Sequence, residues 1–145
     1  MSKHFDEWNS VKKETDTLKA PIYKEREVYY IRMGHNIGHE QNGKGDEFVR
    51  PVIVLKRLSR EMFIGIPLSS QIKSGSFYHT VTFSKNGVDT INNAIIAQIR
   101  LFSARRLLNK IGMIHKDDFD QLKKSVADLL DLTLPKESAG LPEGN

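Results

Sequence analysis

The sequence predicts an α+β domain: a small twisted β-barrel of about five or six strands, with a helix added at each end. A central stretch, residues 25–114, holds short runs rich in β-branched and aromatic residues, separated by glycine and proline. The segments on both sides of it place apolar residues at the spacing of a helix face. The length of 145 residues fits one domain with its own core.

The first predicted element is an amphipathic helix. Phe5, Trp8, Val11 and Leu18 are spaced so that they fall on one helical face. Pro21 interrupts the pattern, because proline removes a backbone donor and clashes with the preceding turn. We therefore assign residues 1–20 to a helical extension that precedes the barrel.

The barrel strands are predicted from β-rich runs bounded by glycine and proline. The Gly34 to Gly45 segment has four glycines and is interpreted as a long loop between the first two strands. A strand that includes Met62–Ile66 is expected to stop at Pro67. The predicted strands are Glu27–Met33, Arg50–Leu55, Met62–Ile66, Phe77–Phe83, one within Asn92–Leu101 and a short one within Leu107–Ile114.

A second amphipathic helix is predicted over residues 116–132. Its apolar positions follow the 3–4 spacing of a single buried face: Phe119, Leu122, Val126, Leu129 and Leu130. The last residues, 135–145, are rich in glycine, proline, glutamate and serine, which is typical of disorder. The predicted barrel domain thus spans residues 21–134.

Composition restricts the classes of function. The chain has no cysteine, which excludes disulfides, thiolate metal sites and cysteine nucleophiles and fits a reducing cytoplasm. Its beginning shows no secretory signal, and no apolar run approaches membrane-spanning length. The net charge of +4 favours an anionic partner.

Two neighbouring segments carry the most informative chemistry. Residues 38–43, Gly-His-Glu-Gln-Asn-Gly, form a polar loop flanked by glycines, and Arg50-Pro51 opens the buried run that follows. The planar guanidinium of Arg50 presents a donor fork that matches a phosphate. Three further landmarks follow in order: Ile66-Pro67-Leu68-Ser69-Ser70-Gln71, then Ala97-Gln98-Ile99-Arg100, then the helix Asp117–Leu132.

This succession resembles the MazF/PemK/Kid toxins of type II toxin–antitoxin systems, over roughly residues 25–132. The resemblance implies an SH3-like barrel and an endoribonuclease that cuts single-stranded RNA at a specific sequence. It implies attack by a 2′-hydroxyl that leaves a 2′,3′-cyclic phosphate and a 5′-hydroxyl, with no metal or other cofactor. It also implies a homodimer and a cognate antitoxin protein with an acidic tail.

By motif, the resemblance assigns catalytic roles to Arg50 and Ser69. Histidine titrates near neutral pH, so His39 in the glycine loop and His79 on the fourth predicted strand are the candidates for proton transfer. Amide, hydroxyl and ammonium groups suit the readable edges and phosphates of single-stranded RNA. The residues expected to line the RNA groove are Gln41, Ser70, Gln71, Lys73, His79 and Gln98.

Several alternatives stay open. Residues 44–49 lengthen the loop before Arg50, and Ala97 stands where the Kid branch has a catalytic aspartate. A catalytically degenerate member that binds RNA or a partner is therefore an alternative, as is a gyrase-binding toxin of the CcdB kind on the same barrel. Arg50 could instead form a structural ion pair, and the Lys12-Lys13 pair is interpreted as solvated surface. Arg105-Arg106 is a weaker candidate for phosphate contact.

Overall fold

The computed structural model describes residues 5–16, 20–33 and 49–132. Two helices and seven strands occur in these ranges. The helices are α1, Phe5–Asp16, and α2, Lys116–Leu129. The strands are β1, Glu27–Arg32; β2, Val49–Arg57; β3, Met62–Ser69; β4, Tyr78–Lys85; β5, Val88–Ile95; β6, Arg100–Ser103; and β7, Leu107–Met113.

The strands form one strongly curled antiparallel sheet. Its order is β4-β5-β3-β2-β1-β7, and β6 pairs with the first half of β3. An isolated bridge between Phe83 and Ile114 joins edge strand β4 to the residue just after the other edge strand, β7. The sheet thus curls into a half-barrel, which confirms the predicted α+β class, with a helix at each end of the described chain.

Strands β1 and β2 are buried on both sides, which divides the core into two clusters. On β1, Val28 faces one cluster and the next residue, Tyr29, faces the other, because side chains alternate along a strand. The first cluster includes Phe119, Leu122 and Val126 of α2, packed on Ile53, Ile66, Leu68, Val81 and Phe83. The second comprises Tyr23, Tyr29, Ile31, Met33, Val52, Val54, Phe63, Phe102, Ala104 and Leu107.

The described part of the first predicted helix, α1, carries three of the four predicted apolar residues, Phe5, Trp8 and Val11. Trp8 is 8% exposed, whereas Phe5 is half exposed, and Leu18 lies outside the described residues. In α2, Phe119, Leu122 and Val126 are buried as predicted, while Leu130 follows the helix and is exposed.

Two predicted strand boundaries were wrong. Strand β3 continues through Pro67 to Ser69, because Pro67 falls where β3 exchanges one neighbour, β6, for another, β5, so a missing N–H is tolerated there. The strand predicted within Asn92–Leu101 begins earlier, at Val88, and ends at Ile95, where a 3₁₀ turn, Ile96–Gln98, separates it from β6; the described residues therefore contain seven strands. Between β4 and β5, Asn86 and Gly87 both have positive φ angles, 53° and 77°, as a tight two-residue hairpin requires.

Within the described ranges, neither helix is long and apolar enough to cross a bilayer. Three parts of the sequence-based prediction lie outside those ranges and stay predictions: the glycine-rich loop from Gly34 to Gly45, the loop extension before Val49, and the tail 135–145. The domain boundaries proposed from the sequence likewise remain a prediction.

Candidate functional site

A groove opens where β3 ends. Strand β3 pairs with β5 only through Leu68–Ala94 and Ser69–Asn93, while the β4–β5 hairpin continues beyond the last residue of β3. The groove lies between that hairpin and β2 and has a volume of about 340 Å³. Its lining consists of Tyr30, Val49, Arg50, Pro51, Leu68, Ser69, Ser70, Phe83, Lys85, Thr90, Ile91, Asn92 and Ile111.

Arg50 is held in the wall of this groove by the β2–β3 pair. Val52 pairs with Pro67, so continuing the same register by two residues sets Arg50 against Ser69. The Arg50 side chain is buried, and its Nη1 donates a hydrogen bond to the Leu68 carbonyl oxygen at 3.3 Å. Burial lowers the pKa of the Arg50 guanidinium, which nevertheless stays protonated at neutral pH because an arginine begins so high. A buried positive charge therefore stands beside the last residues of β3.

Ser69 is fixed by the turn that follows β3. Its Oγ accepts a hydrogen bond from the Gln71 backbone N–H at 3.1 Å, a local turn that serine commonly makes. A hydroxyl that accepts in this way keeps its own proton to donate. Ser69 and Ser70 both line the groove, so the structure brings two of the predicted hydroxyls to Arg50.

A second cation in the groove was missed by the sequence analysis. Lys85, the last residue of β4, points its Nζ at the Tyr30 hydroxyl oxygen, 3.2 Å away, and lies 5.6 Å from the centre of the Tyr30 ring. Both residues line the groove. Tyr30 belongs to β1 and Lys85 is distant in sequence, so the only local signal was the Asn86-Gly87 turn that fixes where β4 ends.

Three predicted groove residues, Gln71, Lys73 and Gln98, are not part of the described lining of this site. Gln71 is exposed just beyond Ser70, and Gln98 is half buried at the end of the 3₁₀ turn. The Lys73 ammonium lies 5.9 Å from the centre of the Tyr78 ring. The carbonyl of Lys73 accepts a hydrogen bond at 3.0 Å from the buried Asn93 amide, which ties this loop to β5. His39 and Gln41 are outside the described residues.

The structure places His79 at a helix contact and not in the groove lining. Its Nδ1 lies 2.8 Å from the Ser125 Oγ of α2. Burial lowers the pKa of the His79 imidazole, and the negative charge of Asp118 opposes that shift. His79 thus links the sheet to α2. It does not belong to the described groove lining, which contains Arg50 and Ser69.

Comparison with known protein families identifies the family to which this fold and groove belong. A model of the PemK-like, MazF-like toxins of type II toxin–antitoxin systems matches residues 24–130. The chain belongs to this toxin family. The match covers the whole described sheet from β1 onward and ends with α2, so α1 lies outside the matched residues.

Several solved structures share this fold. An endoribonuclease from a mycobacterial species, in complex with its cognate antitoxin, superposes with a TM-score of 0.59 at 12% identity, covering 79% of this chain and 100% of that one. The Mycobacterium tuberculosis toxin MazF-mt6 gives 0.55 at 14% identity over 75% and 100%. MazF from Deinococcus radiodurans gives 0.57 at 20% identity over 77% and 98%. None of the curated proteins matches the sequence.

Proposed function

We propose that this PemK/MazF member is an endoribonuclease that cuts single-stranded RNA at a specific sequence, without a metal, through the 2′-hydroxyl. The observation that carries the proposal is the shared groove: the buried Arg50 guanidinium and the Ser69 hydroxyl line one cavity, beside Lys85. The family membership supports the same activity, since similar structures are described as endoribonucleases.

The proposed reaction uses these groups as charge stabilisers. The 2′-oxygen attacks the adjacent phosphorus, the bond to the 5′-oxygen breaks, and a 2′,3′-cyclic phosphate and a 5′-hydroxyl result. Negative charge accumulates on the phosphorane oxygens, where a preorganised guanidinium and hydroxyl donor are most effective. Arg50 supplies the charge, and Ser69 donates its hydroxyl proton as a hydrogen bond.

Proton transfer needs a group other than Arg50, because a guanidinium is a poor base. His39, whose loop precedes β2 in sequence, remains the proposed group: it would accept the proton of the attacking 2′-hydroxyl and return it to the departing 5′-oxygen. Lys85 would contact a flanking phosphate, since its ammonium stands at the groove wall next to Tyr30. Ser70 and Asn92 offer further polar contacts to bases.

The proposed partners follow from the family and the charge. Similar structures include an endoribonuclease with its cognate antitoxin and a MazE–MazF complex. For this chain we propose a homodimer in the cytoplasm, inhibited by an antitoxin whose acidic segment complements the net charge of +4.

The test uses RNA oligonucleotides with and without 2′-deoxy substitution at the mapped cut site, incubated with EDTA. The proposal expects cleavage of the all-ribose strand, none of the deoxy strand, and a cyclic phosphate detected by mass spectrometry. Cutting of the deoxy strand would exclude attack by the 2′-hydroxyl, and complete loss of activity in EDTA would exclude the metal-free route. Binding without cleavage would favour a degenerate member of the family.

A further inference from the structure

A second cavity lies apart from the groove, between α1 and the 3₁₀ turn Ala104–Arg106. Its volume is also about 340 Å³. The lining residues are Trp8, Asn9, Lys12, Lys13, Thr15, Ser103, Arg105 and Arg106. Four of these side chains are basic and none is acidic, so the lining of this cavity, here called the helix pocket, has an excess of positive charge. Arg105 also has Glu61 beside it, with 3.9 Å between its Nε and the Glu61 Oε1.

Hydrogen bonds between α1, β1 and the 3₁₀ turn hold the helix pocket together. The Thr15 hydroxyl donates to the Val11 carbonyl oxygen at 2.8 Å and accepts from Arg32 Nη1 at 3.0 Å. Arg106 Nη1 donates to the Arg32 carbonyl oxygen at 3.0 Å. These bonds fasten α1 to the end of β1 and hold both walls of the pocket in place.

Trp8 forms the apolar back of the pocket. Its side chain is buried, and the Arg106 guanidinium lies 5.5 Å from the centre of its ring. Burial lowers the pKa of Arg106, and the nearby charge of Arg100 lowers it further. Several positive charges are therefore crowded here, and a bound anion would relieve their mutual repulsion.

One strand pair joins the helix pocket to the groove. Arg32, whose carbonyl holds Arg106, pairs with Val49, which lines the groove next to Arg50. The groove lining and the hydrogen bond that anchors Arg106 thus involve paired residues of β1 and β2. A nucleic-acid backbone carries a phosphate at every nucleotide, which suits a cavity lined by both arginine and lysine.

We propose that the helix pocket binds a backbone phosphate of single-stranded RNA outside the groove, so that α1 extends the grip on the substrate beyond the PemK/MazF unit. The inference rests on the proposed function, because it takes RNA as the occupant. Lys12 and Lys13 supply charge from the helix, and Arg105 supplies it from the barrel.

The test compares two double variants that remove equal charge. Lys12→Gln with Lys13→Gln alters the pocket, and Lys123→Gln with Lys124→Gln alters the exposed face of α2. Arg106 is left intact because it holds Arg32. The full chain is titrated with a fully 2′-O-methylated RNA, which cannot be cut, and binding is followed by fluorescence anisotropy over a salt series.

The pocket variant is expected to bind more weakly, and the slope of log K against log salt should fall by about 0.7 for each phosphate that the protein no longer neutralises. The α2 variant should match the wild type. With cleavable RNA, the pocket variant should raise KM for a long substrate, leave kcat unchanged, and leave a short substrate that spans only the groove unaffected.

The outcomes separate this inference from the proposed function. If the wild type cuts RNA but the pocket variant keeps the wild-type salt slope, the pocket assignment fails alone. If the wild type neither binds nor cuts RNA, the nuclease proposal fails and RNA is not the occupant. If the pocket variant loses affinity for a polyglutamate peptide and not for RNA, the pocket receives an acidic protein segment, which overturns the inference. Arg105→Gln provides a second variant from the barrel wall and should act in the same direction.

Discussion

Replacing Arg50 by alanine tests both the site and the fold, and the two effects can be separated. The side chain is buried and donates to the Leu68 carbonyl, so its removal leaves a buried acceptor without that donor, at a cost of about 1–3 kcal/mol. For a domain of this size, each kcal/mol lowers Tm by about 2–4 °C. The variant should therefore fold, with a Tm lower by several degrees.

The catalytic effect should be larger than the stability effect. Loss of one preorganised donor to a developing oxyanion typically reduces kcat by about 10²–10³, equivalent to about 2.7–4 kcal/mol. We expect a loss of that order in a fluorogenic RNA cleavage assay, at a temperature where circular dichroism shows the variant folded. Arg50→Lys should retain part of the stability, since it keeps a donor, but not the planar fork that fits a phosphate.

Arg60→Ala is the matched control, because Arg60 is an exposed arginine in the turn between β2 and β3. It removes the same charge and should leave both cleavage and Tm close to the wild type. If folded Arg50→Ala cut RNA within about tenfold of the wild type, the stabilising role assigned to this guanidinium would be refuted.

Three further predictions concern other parts of the same barrel. Ser69→Ala should reduce kcat with little change in Tm, whereas Ser69→Thr should retain activity because the hydroxyl remains. If the wild type and both variants were equally active, a catalytic role of the Ser69 hydroxyl would be excluded. Gly112→Ala should destabilise the fold by about 1–3 kcal/mol in urea titration, because an added Cβ would lie 2.4 Å from the Phe83 ring and 2.7 Å from the Ser84 carbonyl oxygen. An unchanged urea midpoint would show that β4 and β7 can move apart enough to accommodate the methyl group. Burial lowers the pKa of His79, so near pH 6.5 the unfolded chain binds more protons than the folded one, and the free energy of unfolding should fall as the pH decreases below that value. In urea titrations across this range, His79→Asn should flatten this dependence of stability on pH, while Ser125→Ala should not abolish it.

Much of the fold could be predicted from the sequence because local pattern and tertiary context agree. The 3–4 spacing of Phe119, Leu122 and Val126 required a partner surface, and the sheet provides it. The strand through Pro67 could not be predicted in the same way. Proline usually ends a strand, and only the exchange of neighbours along β3 makes it acceptable here.

The neighbourhood of Arg50 and Ser69 in the candidate site could be predicted, because each residue belongs to a local motif in the sequence. Arg50 and Ser69 are brought together by the β2–β3 pair, and both stood in recognisable segments. Lys85 and Tyr30 have no such signal, since their contact depends on the curl that sets the β4–β5 hairpin opposite β1. His79 illustrates the reverse case: alternation placed it on a strand, but only the packing of α2 determined which group its ring meets.

The short pairing between β3 and β5 affects which groups of the protein could recognise a ligand in the groove. In the described chain, β5 pairs with β4 along its whole length but with β3 only at Asn93 and Ala94, so residues 88–92 present one edge of bare peptide groups beside the groove. Such N–H and C=O groups can bind a base or an extended polypeptide without any side chain. Alanine scanning would leave these groups in place, so side-chain mutagenesis alone would understate what the groove recognises.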